Sequence, residues 1–227
     1  MIAHTQKRFE QHGLHVQLHQ LFCRFTERTE PGEEEAFGYA FEKIVLFAET
    51  IGVGTTWIAG TMDRSGFERA VKLNEDEVMP CVSPLGYEAK KMSLRETMMR
   101  KGVKADTRLP FASLFFDGTF DTPLSESKAS TLKNALEAVR FAPSAVNKQP
   151  WRIVLCGNKV HFFEKHNRKD TSDGRWDVQK IDMGIALCHF ELAAKEAGQN
   201  VVFEINDPHL PAPADTEYIA SFVIHQA

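Results

Sequence analysis

The chain has 227 residues, 43% hydrophobic and 26% charged, enough apolar side chain for one large core or two closely packed halves. Its formal net charge of -4 supplies no basic field, which argues against a nucleic-acid partner. No apolar run approaches the roughly 20 residues that span a bilayer, no signal-peptide stretch opens the chain, and the four cysteines form no CxxC pair, so a cytoplasmic protein with neither zinc nor a disulfide framework is expected.

From Ala36 to Ile51 apolar residues recur at three and four, which predicts a largely buried helix stopped by Gly52. A short β-like stretch with turn glycines follows in GVGTTWIAG. After it come a short helix near Gly66 to Val71, a brief strand near Met79 to Ser83 and a turn at Pro84 to Gly86. Ser93 stands three residues before Glu96, a capping box that predicts a helix to Lys104. The aromatic stretch RLPFASLFFDGTFDTPL reads as an ordered crossover packed on both halves.

A second helix is expected from Ser127 to Phe141, ended by Pro143. Trp151 to Cys156 and Lys159 to Phe163 predict a hairpin around Gly157 and Asn158. Ile181 to Ala197 is the next buried helix, closed by Gly198, with VVFEI and EYIASFVI as the last strands. The order helix, glycine, strand occurs twice, in FEKIVLFAETIGVGTTWI and in CHFELAAKEAGQNVVFEI, which hints at duplication.

Three isolated features admit simpler accounts. His12, His15 and His19 could face one way on a helix and bind metal, but no carboxylate or thiol joins them, and a polar exposed helix accounts for the spacing. Asp182 and His189 could suggest acid/base catalysis, but Asp182 reads more simply as a helix N-cap and His189 as an interface or core residue. No catalytic triad or carboxylate pair stands out.

The segment APSAVNKQPWR, Ala142 to Arg152, resembles the signature that follows the first long helix of the flavin-dependent nitroreductases. DMGIALCHFELAAKEAG resembles that family's central helix, while GYAFEKIVLFAETIGVGTTWIAGTMDRSGF and VMPCVSPLGYEAKK look like the carboxyl-terminal part of a subunit. The resemblance implies an α+β, nitroreductase-like fold, a mixed or antiparallel sheet packed with long helices, in which one chain supplies both halves of what is elsewhere a homodimer. The expected boundaries are 1–105 for a partial first half, 106–126 for a connector and 127–227 for the second half. A monomeric pseudo-dimer or a homodimer would follow.

The same resemblance implies FMN as cofactor, NAD(P)H as reductant and small-molecule acceptors such as nitroaromatics or quinones, reduced in ping-pong order. Pro143, Ser144, Ala145, Asn147 and Gln149 would meet the flavin edge, where small residues allow close approach and amides satisfy carbonyl and ring-nitrogen atoms. Gly52, Gly54 and Thr55 would lie beside its reactive face. Pro84, Leu85 and Gly86 precede Lys90 and Lys91, which match late basic residues that neutralise the flavin phosphate. Trp57, Phe115, Phe116 or Phe120 would roof the site. Relatives begin with an Arg-rich RRSxR stretch, and QKRF at Gln6 to Phe9 departs from it. That departure carries the alternative of a non-catalytic or truncated nitroreductase-fold protein that has lost flavin binding.

Overall fold

The computed structural model describes residues 20–23, 26–27, 31–74, 77–87, 92–166 and 176–225. Its largest unit is a six-stranded sheet in the order β6-β5-β7-β8-β10-β9, built from β5 (Phe115–Asp117), β6 (Thr119–Pro123), β7 (Trp151–Cys156), β8 (Lys159–Lys165), β9 (Asn200–Glu204) and β10 (Thr216–His225). β7 and β8 form the expected hairpin, with Gly157 in the left-handed region at φ 60. β5 runs parallel to β7, and the other pairings are antiparallel, so the sheet is mixed.

The stretch read as a connector is in fact part of this sheet. β5 and β6 lie within it, and Leu114 and Phe115 are fully buried. Phe-rich sequence interrupted by Asp117-Gly118 is a strand pair with a turn, and Gly118 takes the positive φ that turn needs. The helix expected from Ser127 is also divided, into α4 (Glu126–Ala129), a 3-10 turn and α5 (Lys133–Phe141), with Ser130 at φ 50 and ψ -125 breaking the run. Ala129 and Leu132 are buried on either side of the break.

α6 (Val178–Glu196) is buried on nearly every side from Ile181 to Phe190. On one side Phe190 packs on Phe162 and Phe222, with ring centroids 5.4 and 5.2 Å apart, within the main core. On the other side α6 meets α1 (Glu33–Thr50). The two helices come together at glycine. A Cβ built on Gly38 would stand 2.1 Å from the Ile181 carbonyl oxygen, and one on Gly184 would stand 2.0 Å from that of Glu35. The contact is reciprocal, since each glycine meets the carbonyl three residues before the other. Any side chain at either position would drive the backbones apart.

The remainder of the first region is slighter. α2 (Arg64–Val71), capped by Asp63, and the short strands β3 (Glu77–Val78) and β4 (Val82–Leu85) surround a small cluster of Phe67, Met79 and Val82. β4 pairs with β1 (Gln20–Cys23) and β3 with β2 (Thr26–Glu27). α3 (Leu94–Gly102) starts as its capping box predicts, the Ser93 Oγ accepting from the Glu96 N–H at 3.1 Å. Among the described residues no helix is long and apolar enough to cross a membrane.

Candidate functional site

The loop after α5 is shaped by backbone that ordinary residues avoid. Within four positions Val146, Asn147 and Gln149 take φ values of 45, 56 and 50. For a β-branched valine this is a genuine outlier, and it persists only where the surroundings over-determine it. Several bonds hold the loop. The Gln149 N–H donates to Ser144 Oγ at 2.9 Å, and the Asn147 N–H to the Ser144 carbonyl at 2.9 Å. The Ala145 N–H points between both oxygens of Asp182, at 3.0 and 3.1 Å.

Asp182 therefore does not cap α6. Asp177 does that, accepting from the Gln179 N–H at 2.8 Å. Asp182 sits inside the helix and ties the loop to it. Burial pushes its carboxyl well above the usual range, partly offset by the Ala145 bond.

The two amides of the loop turn inward onto residues 104–109. Asn147 Nδ2 donates to the Lys104 and Thr107 carbonyls at 2.6 and 3.0 Å. Gln149 Oε1 accepts from the Leu109 N–H at 2.8 Å, and its Nε2 donates back to Asn147. The capacity that the sequence reserves for a flavin edge is thus engaged within the chain. What the loop leaves open is exposed Pro143, Val146 and Lys148 and the half-buried Ser144 and Ala145.

Arg108 joins this corner, and sequence reasoning missed it. Its guanidinium donates to the carbonyls of Ala105, Thr107 and Phe141 and approaches Asn147 Oδ1 at 3.5 Å, so its hydrogen-bond partners among the described residues are neutral. Burial first, then the nearby Arg140, lowers its pKa. A single arginine between Thr107 and Leu109 carries no sequence signal. Asp182 did carry one, as a carboxylate flanked by apolar helix residues that demands a specific partner.

The glycine segments form a second group. The Gly54 N–H donates to the Gly86 carbonyl at 2.7 Å, and the Gly86 N–H returns to Gly54 at 3.2 Å. This pairing brings Gly54 and Thr55 beside Leu85 and Gly86, with Pro84 next in β4, while the Gly52 N–H turns back to the Glu49 carbonyl at the end of α1. A Cβ at Gly52 or Gly86 would meet nothing within 4 Å among the described residues. Among the described residues no hydrogen bond joins this group to the loop at 143–149. Lys90 and Lys91, like His12, His15 and His19, lie outside the described residues.

Of the expected roof residues, Phe115 belongs to the core and Trp57 is half-buried against it. Phe115 is fully buried, and Trp57 packs against Phe37 and Phe41 while its indole N–H donates to Glu42 at 2.9 Å. Phe116 packs tilted against Phe120, and Phe120 meets Phe163 edge to face. Glu42 is itself buried and also contacts His189 Nε2 at 2.8 Å, which places His189 at the α1–α6 interface.

A long helix laid on a mixed sheet and crossed by a second long helix is the architecture of a nitroreductase. A crystal structure of a putative nitroreductase from Thermotoga maritima matches with a TM-score of 0.53 and 19% identity, over 90% of this chain and 74% of that one. The chain belongs to the family described as "Putative TM nitroreductase", whose model matches residues 3–194. The name of that family marks reductase chemistry. A search of curated proteins finds no match.

Proposed function

We propose that the protein is a flavin (FMN)-dependent oxidoreductase that uses NAD(P)H to reduce nitroaromatics, quinones or similar acceptors in ping-pong order. The observation that carries the reading is the strained loop. Three non-glycine residues are kept left-handed by Asp182, Ser144 and residues 104–109, in the segment that resembles the family signature. Strain of this kind gathers at functional sites.

FMN, when bound, supplies the hydride chemistry. The residues present suit it in kind. Gly52 and Gly86 offer backbone that a planar ring can approach, and Arg108 offers a positive charge with no carboxylate bonded to it among the described residues. Lys90 and Lys91 are proposed as phosphate contacts, with Pro143, Ser144, Ala145, Asn147 and Gln149 presenting the loop. Gly54 and Thr55 would fix the wall opposite. The reciprocal glycine contact between α1 and α6 supports a monomeric pseudo-dimer, because a two-fold axis relates equivalent residues in this manner.

The test is a visible spectrum of the purified protein followed by FMN titration of wild type, Asn147→Ala and a Lys90→Ala/Lys91→Ala double variant. Losing charge-assisted phosphate bonds should weaken affinity at least about tenfold in the lysine variant. A second reading, a nitroreductase-fold protein that has lost flavin binding, is favoured by the inward engagement of Asn147 and Gln149. A colourless protein that takes up no FMN would establish that second reading.

A further inference from the structure

Away from this loop, β8 and β10 place two carboxylates directly opposite each other. Glu164 and Glu217 are register partners on neighbouring antiparallel strands, an arrangement that like charges disfavour. Glu164 is completely buried, and neither of its oxygens has a hydrogen bond among the described residues. His166 stands between the two, Nδ1 3.1 Å from Glu164 Oε1 and Nε2 3.1 Å from Glu217 Oε2. One donor atom from each of the three residues falls within 4.8 Å of the others.

Among the described residues, the surrounding charges leave Glu164 poorly compensated. Lys180 reaches Glu217 at 3.3 Å, and Lys165 reaches Asp215 at 3.7 Å, while Asp177 and Glu35 add negative charge nearby. An imidazole with two carboxylates is an N/O donor set suited to first-row divalent ions.

We propose that Glu164, His166 and Glu217 form a binding site for a divalent metal ion of the zinc class, which neutralises the buried carboxylate and pins the ends of β8 and β10 together. One ring nitrogen of His166 serves as ligand. Zinc–ligand distances of about 2.0–2.1 Å require the three donors to close by about 1 Å. Glu217 is exposed and His166 partly so, and both are free to make that movement, whereas Glu164 is fixed by burial.

The experiment titrates Co²⁺, then Zn²⁺ in competition, into the full-length chain, reading the visible Co²⁺ bands and the thermal midpoint. One ion per chain should bind, and Zn²⁺ should displace Co²⁺ and raise the midpoint. Glu164→Gln, His166→Asn and Glu217→Gln should each weaken binding at least about tenfold. The exposed Glu217 and half-buried His166 keep the test decisive if Glu164→Gln does not fold. Replacement of His12, His15 and His19 should leave binding unchanged. Equal affinity in wild type and His166→Asn, or loss of binding only when the three amino-terminal histidines are changed, would overturn the site.

Discussion

The region from 33 to 87 and the region from 109 to 225 each contain one long helix followed by a left-handed glycine, Gly52 at φ 72 and Gly198 at φ 77. Gly38 and Gly184 precede those glycines by the same number of residues. The means of burial differ. α6 has a six-stranded sheet of its own region beneath it, with Phe190 held between Phe162 and Phe222. α1 has only short strand pairs nearby, and buries Phe37 and Phe41 in a cluster with Cys81, Trp176 and Ile181. Two of those partners belong to the second region. Similar helices can thus rest on unequal foundations, one on its own sheet and the other on its neighbour.

The harshest way to break this asymmetry is to damage the shared foundation. Phe190→Ala removes a fully buried ring and should cost about 3–5 kcal/mol, unfolding both regions together in a urea melt. Phe67→Ala in the small cluster should instead speed hydrogen exchange around residues 58–82 while the sheet amides keep their protection. Equal loss of protection in the sheet would show that the regions are one cooperative unit.

A lesser effect is expected at the helix crossing. Gly184→Ala puts a methyl group against the Glu35 backbone and should cost about 1–3 kcal/mol, as should Gly38→Ala against Ile181. Because the two sites share one interface, the double variant should fall short of the sum. Strict additivity in denaturant titrations would mean that the helices do not separate as one.

The helix stops should sharpen the similarity instead. Gly52→Ala and Gly198→Ala each force an L residue into the left-handed region, at about 1 kcal/mol apiece, with no clash in either place. A marked inequality in midpoint shift would point to context beyond the turn. The subtlest signal is a slope. Asp182 has a folded pKa raised above 3.8, so its contribution is fully present below that value and is lost as pH rises through the folded pKa. Asp182→Asn should flatten this decline, and an unaltered pH profile of stability would exclude a protonated Asp182.

Much of this was legible in sequence because it rests on local chemistry. The period of Phe37, Phe41 and Ile44 announced α1, Ser93 with Glu96 announced α3, and Gly157-Asn158 announced the β7–β8 turn. The sheet edge was hidden because β5 pairs with a strand beyond α4 and α5, and no local pattern records a parallel partner. In the loop, Pro143 to Gln149 stood out by resemblance. The destinations of Asn147 and Gln149 did not, since backbone carbonyls and N–H groups at 104–109 look alike in every sequence.

The parallel join of β5 to β7 also orders the assembly of the sheet in time. A hairpin brings β7 and β8 together through two residues, whereas Phe115 meets Ile153 only after the intervening helices have folded back. Closing that longer loop costs chain entropy before the contacts are made. The β5–β6 edge should therefore join late. Destabilising it with Phe115→Leu should speed unfolding and leave the refolding rate nearly unchanged, whereas Phe162→Leu should slow refolding as well. Stopped-flow fluorescence in which Phe115→Leu slowed refolding as much would place the parallel pair in the nucleus.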